Sequence, residues 1–292
     1  MTSKMQHLTD GTIELVITIP WAEVQKTYDA VVDNTVKNAE LSGFRKGKAP
    51  RNLVEEKLDK TKVYEDALQR IIPQAYGKAV EEHKIHPIVS PKIELQEATE
   101  KKDWRLRALT CEKPKVDLGS YKEAIRDVKV SKQKKIWVPG SGEAGSGSAR
   151  QNEGKPDDKK PTLDELLKAL YEAVKIFIPA LLLEHEVNRL LSDLIDQTKK
   201  LGLTVEQYLA STGRTSETVR KEYEEQARRT LTLEFALEEI ADKEGILISD
   251  DDIDTVIKTA KTDEEKKAMQ SQRYYIASVL RRQKTIDFLA TL

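Results

Sequence analysis

The sequence predicts two folds in succession, an α+β domain followed by an all-α body, mainly helical and elongated overall. Three observations carry this. A strictly alternating apolar stretch near the start gives way to three- and four-residue periods. A Gly- and Ser-rich stretch in the middle is nearly devoid of apolar side chains. Beyond it the apolar residues recur only at helical spacing, and the segments open on helix-capping motifs.

In order, Ile13 to Ile19 alternates so that Ile13, Leu15, Ile17 and Ile19 share one face, as a half-buried strand requires, and Pro20 stops it. From Trp21 the period changes: Val24, Tyr28, Val31, Val32, Thr35, Val36 and Ala39 form one stripe of an amphipathic helix that ends at Ser42-Gly43. Pro50 suits the start of the next helix, because a first-turn residue needs no amide hydrogen. A further helix spans Val63 to Val80, with Ala67, Leu68, Ile71, Ile72, Ala75 and Ala79 on its stripe and a kink expected at Pro73. Ile88 to Leu95 and Trp104 to Cys111 return to strand patterning across the charged turn at Glu100-Lys101-Lys102-Asp103.

Val138 to Pro161 holds 5 of the chain's 13 glycines and reads as a flexible linker. After it, Thr162 with Glu165, Thr204 with Gln207, and Thr262 with Glu265 have the spacing of capping boxes, and Pro179 fits a first turn. Helices are expected at Pro179 to Lys200, Glu217 to Lys243, Asp250 to Lys261 and Ser271 to Leu289, with no repeat of fixed period.

Composition bounds the function. Of 292 residues 34% are charged and only 5% aromatic, which fits charged helices with thin cores better than one large enzyme body. Lys and Arg number 49 against 50 acidic residues, so neither a membrane surface nor specific DNA is an expected partner, and any attraction to polyanions must be local. A single cysteine, Cys111, excludes an internal disulfide and a multi-cysteine metal site, and its alternating surroundings make it a packed residue. Met1 to Asp10 lacks the pattern of a signal peptide, and no window approaches the ~18 apolar residues of a membrane span. A cytoplasmic location is expected.

One local concentration of charge stands out. Gly43 to Asn52 carries Arg45, Lys46, Lys48 and Arg51 with no acidic residue, at a helix-to-helix connection where two glycines allow a tight turn. Phe44 within it is either an anchor for a partner's pocket or a side chain folded back on its own helices. Charge and spacing leave both readings open.

The segment Gly43-Phe44-Arg45-Lys46-Gly47-Lys48-Ala49-Pro50 resembles the Gly-Phe-Arg-x-Gly-Lys-x-Pro signature of the trigger factor family, matched at Gly43, Phe44, Arg45, Gly47, Lys48 and Pro50. Its setting between two helices, after a strand ending in Pro20, is similar to the family's. So are Pro73 to Tyr76, Ile85 to Pro87 and Leu118 to Lys122, and, after the linker, Ile178-Pro179, Glu184 to Val187 and Leu203 to Ile253.

The resemblance implies a ribosome-binding α+β domain at 1–122, and at 162–292 an all-helical body with arm-like projections that holds nascent or unfolded polypeptides. It also implies that Phe44, Arg45 and Lys46 meet protein and RNA of the large ribosomal subunit at the tunnel exit. Two departures qualify the likeness. Family members usually carry an FKBP-type peptidyl-prolyl isomerase domain between the halves, whereas 123–161 reads as a connecting segment and linker, and Ser131 to Pro161 within it is only 31 residues, largely linker and below the ~40 at which an unaided domain becomes plausible. Ser42 replaces a common proline and Ala49 a larger aliphatic.

Nothing else in the sequence suggests chemistry. His7, His83, His86 and His185 are scattered, and His83 with His86 has no third metal ligand nearby. Glu184-His185-Glu186 points in different directions around a helix. With no phosphate-binding glycine loop before a helix, neither ATP nor another cofactor is expected, nor any catalytic or metal-binding residue. Two stripes, Leu190-Leu191-Leu194-Ile195-Leu201 and Leu231-Leu233-Phe235-Leu237-Ile240, fit either helix-packing core or a crevice facing a bound chain.

Overall fold

A computed structural model describes residues 1–39, 44–47, 50–134, 161–260 and 262–292. It forms two compact units, Met1–Lys113 with Pro179–Asn188, and Pro114–Ile178 with Arg189–Leu292.

The first unit is built on a four-stranded antiparallel sheet of order β1-β2-β4-β3, from β1 (Thr2–His7), β2 (Ile13–Ile19), β3 (Lys92–Glu97) and β4 (Trp104–Thr110). The alternation along β2 is fully used: Leu15 lies opposite Ala108, Ile17 opposite Leu106 and Ile19 opposite Trp104, all buried. Helices α1 (Trp21–Asn38), α2 (Arg51–Glu55) and α3 (Lys60–His83) follow β2. Ile71, Ala75 and Ala79 of α3 join the strand residues in one core, while Tyr28, Val31 and Val32 of α1 meet Val63 and Ala67 in a second cluster nearer the loop. Tyr64 links the two, its ring 4.8 Å from that of Tyr28 and 5.7 Å from that of Trp104.

The structure amends three expectations in this unit. Helix α3 runs from Lys60 to His83, longer at both ends than the expected Val63 to Val80, with Pro73 inside it. The segment from Ile88 is not a strand until Lys92, because Pro87 and Pro91 interrupt it and only an isolated bridge joins Pro87 to Glu112. β1, unrecognised in the sequence, pairs along its whole length with β2.

In the second unit a short pairing of β5 (Val116–Asp117) with β6 (Lys175–Ile176) brings together residues far apart in sequence. The helices are α4 (Tyr121–Lys134), α5 (Leu163–Ala173), α6 (Ala180–Lys200), α7 (Val205–Thr212), α8 (Ser216–Lys243), α9 (Asp250–Ile257), α10 (Asp263–Ser271) and α11 (Arg273–Thr291). The first turns of α6 belong to the first unit and the remainder to the second. Residues 121–134, read from sequence as the end of one domain and a connecting segment, are a helix whose Tyr121 and Ile125 pack with Leu166 and Leu170 of α5, Leu237 and Ile240 of α8 and Leu289 of α11. The Tyr121 hydroxyl donates to Glu244 at 2.8 Å, and Lys122 reaches the same carboxylate at 2.7 Å.

All three capping boxes read from the sequence form, at Thr162, Thr204 and Thr262. Two more close at Thr215 with Thr218 and at Ser249 with Asp252. At α9 the Asp252 carboxylate also receives Lys284 of α11 at 2.7 Å; that bond, with those from Ser249, pulls its pKa down to about 2.

Candidate functional site: the basic tip

The tip lies between α1 and α2, and a backbone hydrogen bond closes its base. At the end of α1 the Ala39 amide donates to Val36, and the Ala39 carbonyl accepts from Gly47 at 3.1 Å. Gly47 turns with φ +71°, a left-handed conformation that costs a side-chain-bearing residue about 1–2 kcal/mol. A Cβ there would stand 2.5 Å from the Lys37 carbonyl oxygen. Glycine is therefore required twice over, by conformation and by space.

Between these anchors Phe44, Arg45 and Lys46 are exposed, Phe44 at 43%. The Phe44 side chain is thus neither sealed into the helix pair nor fully solvated, and Arg45, next in the chain, is exposed as well. Pro50 is the N-cap of α2 and not its first helical residue, its carbonyl accepting from Leu53 and Val54. Gly43 and Lys48, also named by the sequence, lie outside the described residues.

Arg51, counted with the basic tip on sequence grounds, is committed elsewhere. Its guanidinium holds Asp29 at 2.6 Å and Asp33 at 3.0 Å on α1, with Glu55 at 3.6 Å on α2. Sequence could not show this, because the acidic partners on α1 lie about twenty residues upstream, outside the basic window.

A second surface in the helical unit bears on the two apolar stripes. In the α8 stripe Leu231, Leu237 and Ile240 are buried and Leu233 and Phe235 half-buried, so most of it is core. Leu237 and Ala241 nevertheless form part of the floor of a crevice of about 490 Å³ against α11, whose rim carries Leu247 at 78% exposure and Tyr274 at 90%. The α6 stripe divides likewise: Leu194 packs with Leu209 and Val219, whereas Leu201 is 69% exposed. Each stripe is part core and part open surface.

Cys111 is buried, which pushes its thiol up to about 11 and leaves it a poor nucleophile at neutral pH. Among the described residues no group of three or more His, Cys, Asp and Glu side chains is placed to hold a metal ion, and no helix is long and apolar enough to cross a membrane.

Comparison with known proteins agrees with this architecture. The family model described as bacterial trigger factor protein matches residues 1–136, and that of the same protein's C-terminus matches 149–291. The trigger factor of Geobacillus thermodenitrificans is 38% identical over 122 residues, 42% of this chain and 28% of that protein. That of Natranaerobius thermophilus is 33% identical over 122 residues, 42% and 27% of the respective chains. These matched stretches thus span only a little over a quarter of the curated relatives. A solved structure from work on "Promiscuous Substrate Recognition in Folding and Assembly Activities of the Trigger Factor Chaperone" shares the fold at 17% identity with a TM-score of 0.64, over 100% of this chain and 99% of that one. With the two family models together covering nearly the whole sequence, the chain belongs to the bacterial trigger factor family.

Proposed function

We propose that this chain is an ATP-independent chaperone of the cytoplasm that docks on the large ribosomal subunit beside the tunnel exit and shields nascent or unfolded polypeptides. The observation that carries the reading is the tip: an exposed Phe44 flanked by exposed Arg45 and Lys46, on a turn closed by Gly47. An aromatic anchor beside an arginine suits a protein pocket next to phosphate, the aromatic giving up apolar surface and Arg45 making charge-assisted bonds. Gly43, Lys46, Lys48 and Pro50 complete the docking segment in this reading.

Residues 1–122 dock and 162–292 hold, with 123–161 taking the place of an isomerase domain, so the chain works without peptidyl-prolyl isomerisation. Holding draws on open apolar positions such as Leu201, Leu247 and Tyr274, set among charged side chains. Many weak contacts over such a surface favour broad selectivity and rapid release.

The test has two arms. The purified chain is expected to delay aggregation of a denatured protein at stoichiometric amounts and to bind ribosomes more tightly than naked ribosomal RNA. No delay removes the holding role. Equal affinity for ribosomes and naked RNA reduces the tip to an RNA-binding module.

A further inference from the structure

We propose that Arg51 is a positioning residue for docking: it clamps α2 to α1 and so sets how the tip presents Phe44 and Arg45, without itself touching the partner. The inference rests on the docking reading above.

Three observations support it. First, the guanidinium turns all its nitrogens inward: Nη2 to Asp29 at 2.6 Å, Nη1 to Asp33 at 3.0 Å and Nε toward Glu55 at 3.6 Å. Asp29 and Asp33 are one helical turn apart on α1, so the planar fork spans a turn of one helix from the first residue of the next, which a lysine could not reproduce. The hydrogen bond to Asp29, the largest influence, raises the Arg51 pKa above its ordinary value.

Second, α2 has little else to hold it. It is five residues long and buries only Val54, far below the length at which a helix persists on its own. Third, the clamp sits close to the tip: the bond between Gly47 and Ala39 closes the base of the loop, and Arg51 follows Gly47 by only four positions. One arginine shared by three carboxylates also makes a cluster of net negative formal charge, which offers a polyanion no attraction, in contrast to the exposed Arg45.

The experiment is a double-mutant cycle read by affinity for purified ribosomes, with far-UV circular dichroism confirming that each variant is folded. Arg51→Ala is expected to weaken docking about two- to fivefold, the upper part of the range for exposed ion pairs. Asp29→Asn with Asp33→Asn is expected to weaken it comparably, although removing two negative charges would favour a polyanionic partner. Adding Arg51→Ala to that background is expected to change little further. Arg45→Ala should lower the slope of log affinity against log salt by about 0.7–0.9, while Arg51→Ala leaves the slope unchanged. Arg51→Lys, which keeps the charge and loses the fork, is expected to resemble Arg51→Ala.

The clamp is overturned if Arg51→Ala costs the same in both backgrounds, if it lowers the salt slope as Arg45→Ala does, or if Arg51→Lys retains full affinity. Loss in Arg45→Ala with none in Arg51→Ala overturns the clamp alone. No loss in either variant overturns the docking reading as well.

Discussion

Replacing Gly47 by alanine tests whether the conformation of the tip, and not its charge alone, governs docking. The substitution changes no charge and removes no contact group. It does place a Cβ on a residue with φ +71°, 2.5 Å from the Lys37 carbonyl oxygen. The left-handed backbone alone costs about 1–2 kcal/mol, and relieving the overlap means loosening the Gly47–Ala39 hydrogen bond, worth about 1 kcal/mol. Because the tip is a surface loop, it relaxes into another conformation before the unit unfolds, which absorbs part of this. About 2 kcal/mol is a fair sum, and if the native turn is the docking-competent one the apparent affinity falls by roughly 30-fold.

The assay is equilibrium ribosome binding together with thermal unfolding. Affinity should fall while Tm moves by only a few degrees. Gly77→Ala is the control: Gly77 lies within α3, where an added Cβ would meet nothing within 4 Å, so the change should stabilise by about 0.5–1 kcal/mol and leave docking intact. Wild-type affinity in Gly47→Ala would refute the argument from conformation.

Further expectations follow from the helical unit and the buried thiol. Leu170→Ala, at a side chain with no exposure, should cost about 2–5 kcal/mol in chemical denaturation. Tyr121→Phe, which removes the bond to Glu244 and keeps the ring, should cost about 1 kcal/mol by the same measurement. Asp252, with its pKa drawn down to about 2 first by Lys284 and then by Ser249, contributes stability that is present above its unfolded value of about 3.9 and is lost as pH falls toward 2. Lys284→Ala should move the Asp252 titration, followed by NMR, upward toward the ordinary carboxylate range. Cys111 should react with a thiol reagent in the native protein only as fast as the chain opens, and rapidly once it is denatured.

What the sequence disclosed, and what it withheld, divides along physical lines. Local signals were readable: the alternation of β2, the stripes of α1 and α3, and the capping boxes whose third residue is Glu or Gln. The boxes at Thr215 and Ser249 escaped because Thr218 and Asp252 perform the reciprocal bond in place of the usual residues. β1 escaped because Thr2–His7 is an edge strand with mostly polar side chains, held by the ladder to β2 with Met5 packed against the core. The β5–β6 pairing rests on two residues a side, drawn from distant parts of the chain.

At the tip the residues were legible from their signature, whereas their division of labour was not. Arg45 and Arg51 look equivalent in a window of charges. Only the fold of α2 beside α1 places Arg51 against Asp29 and Asp33 and leaves Arg45 exposed. The same holds for the apolar stripes, where neighbours such as Leu194 and Ile195 part company once the surrounding helices are in place.

The central claim is that the tip docks the chain on the ribosome, and co-sedimentation with ribosomes after replacing Phe44, Arg45 and Lys46 together by alanine tests it most directly. The account predicts that the folded variant stays in the supernatant while still delaying aggregation of a denatured protein. Undiminished co-sedimentation of that variant would contradict it.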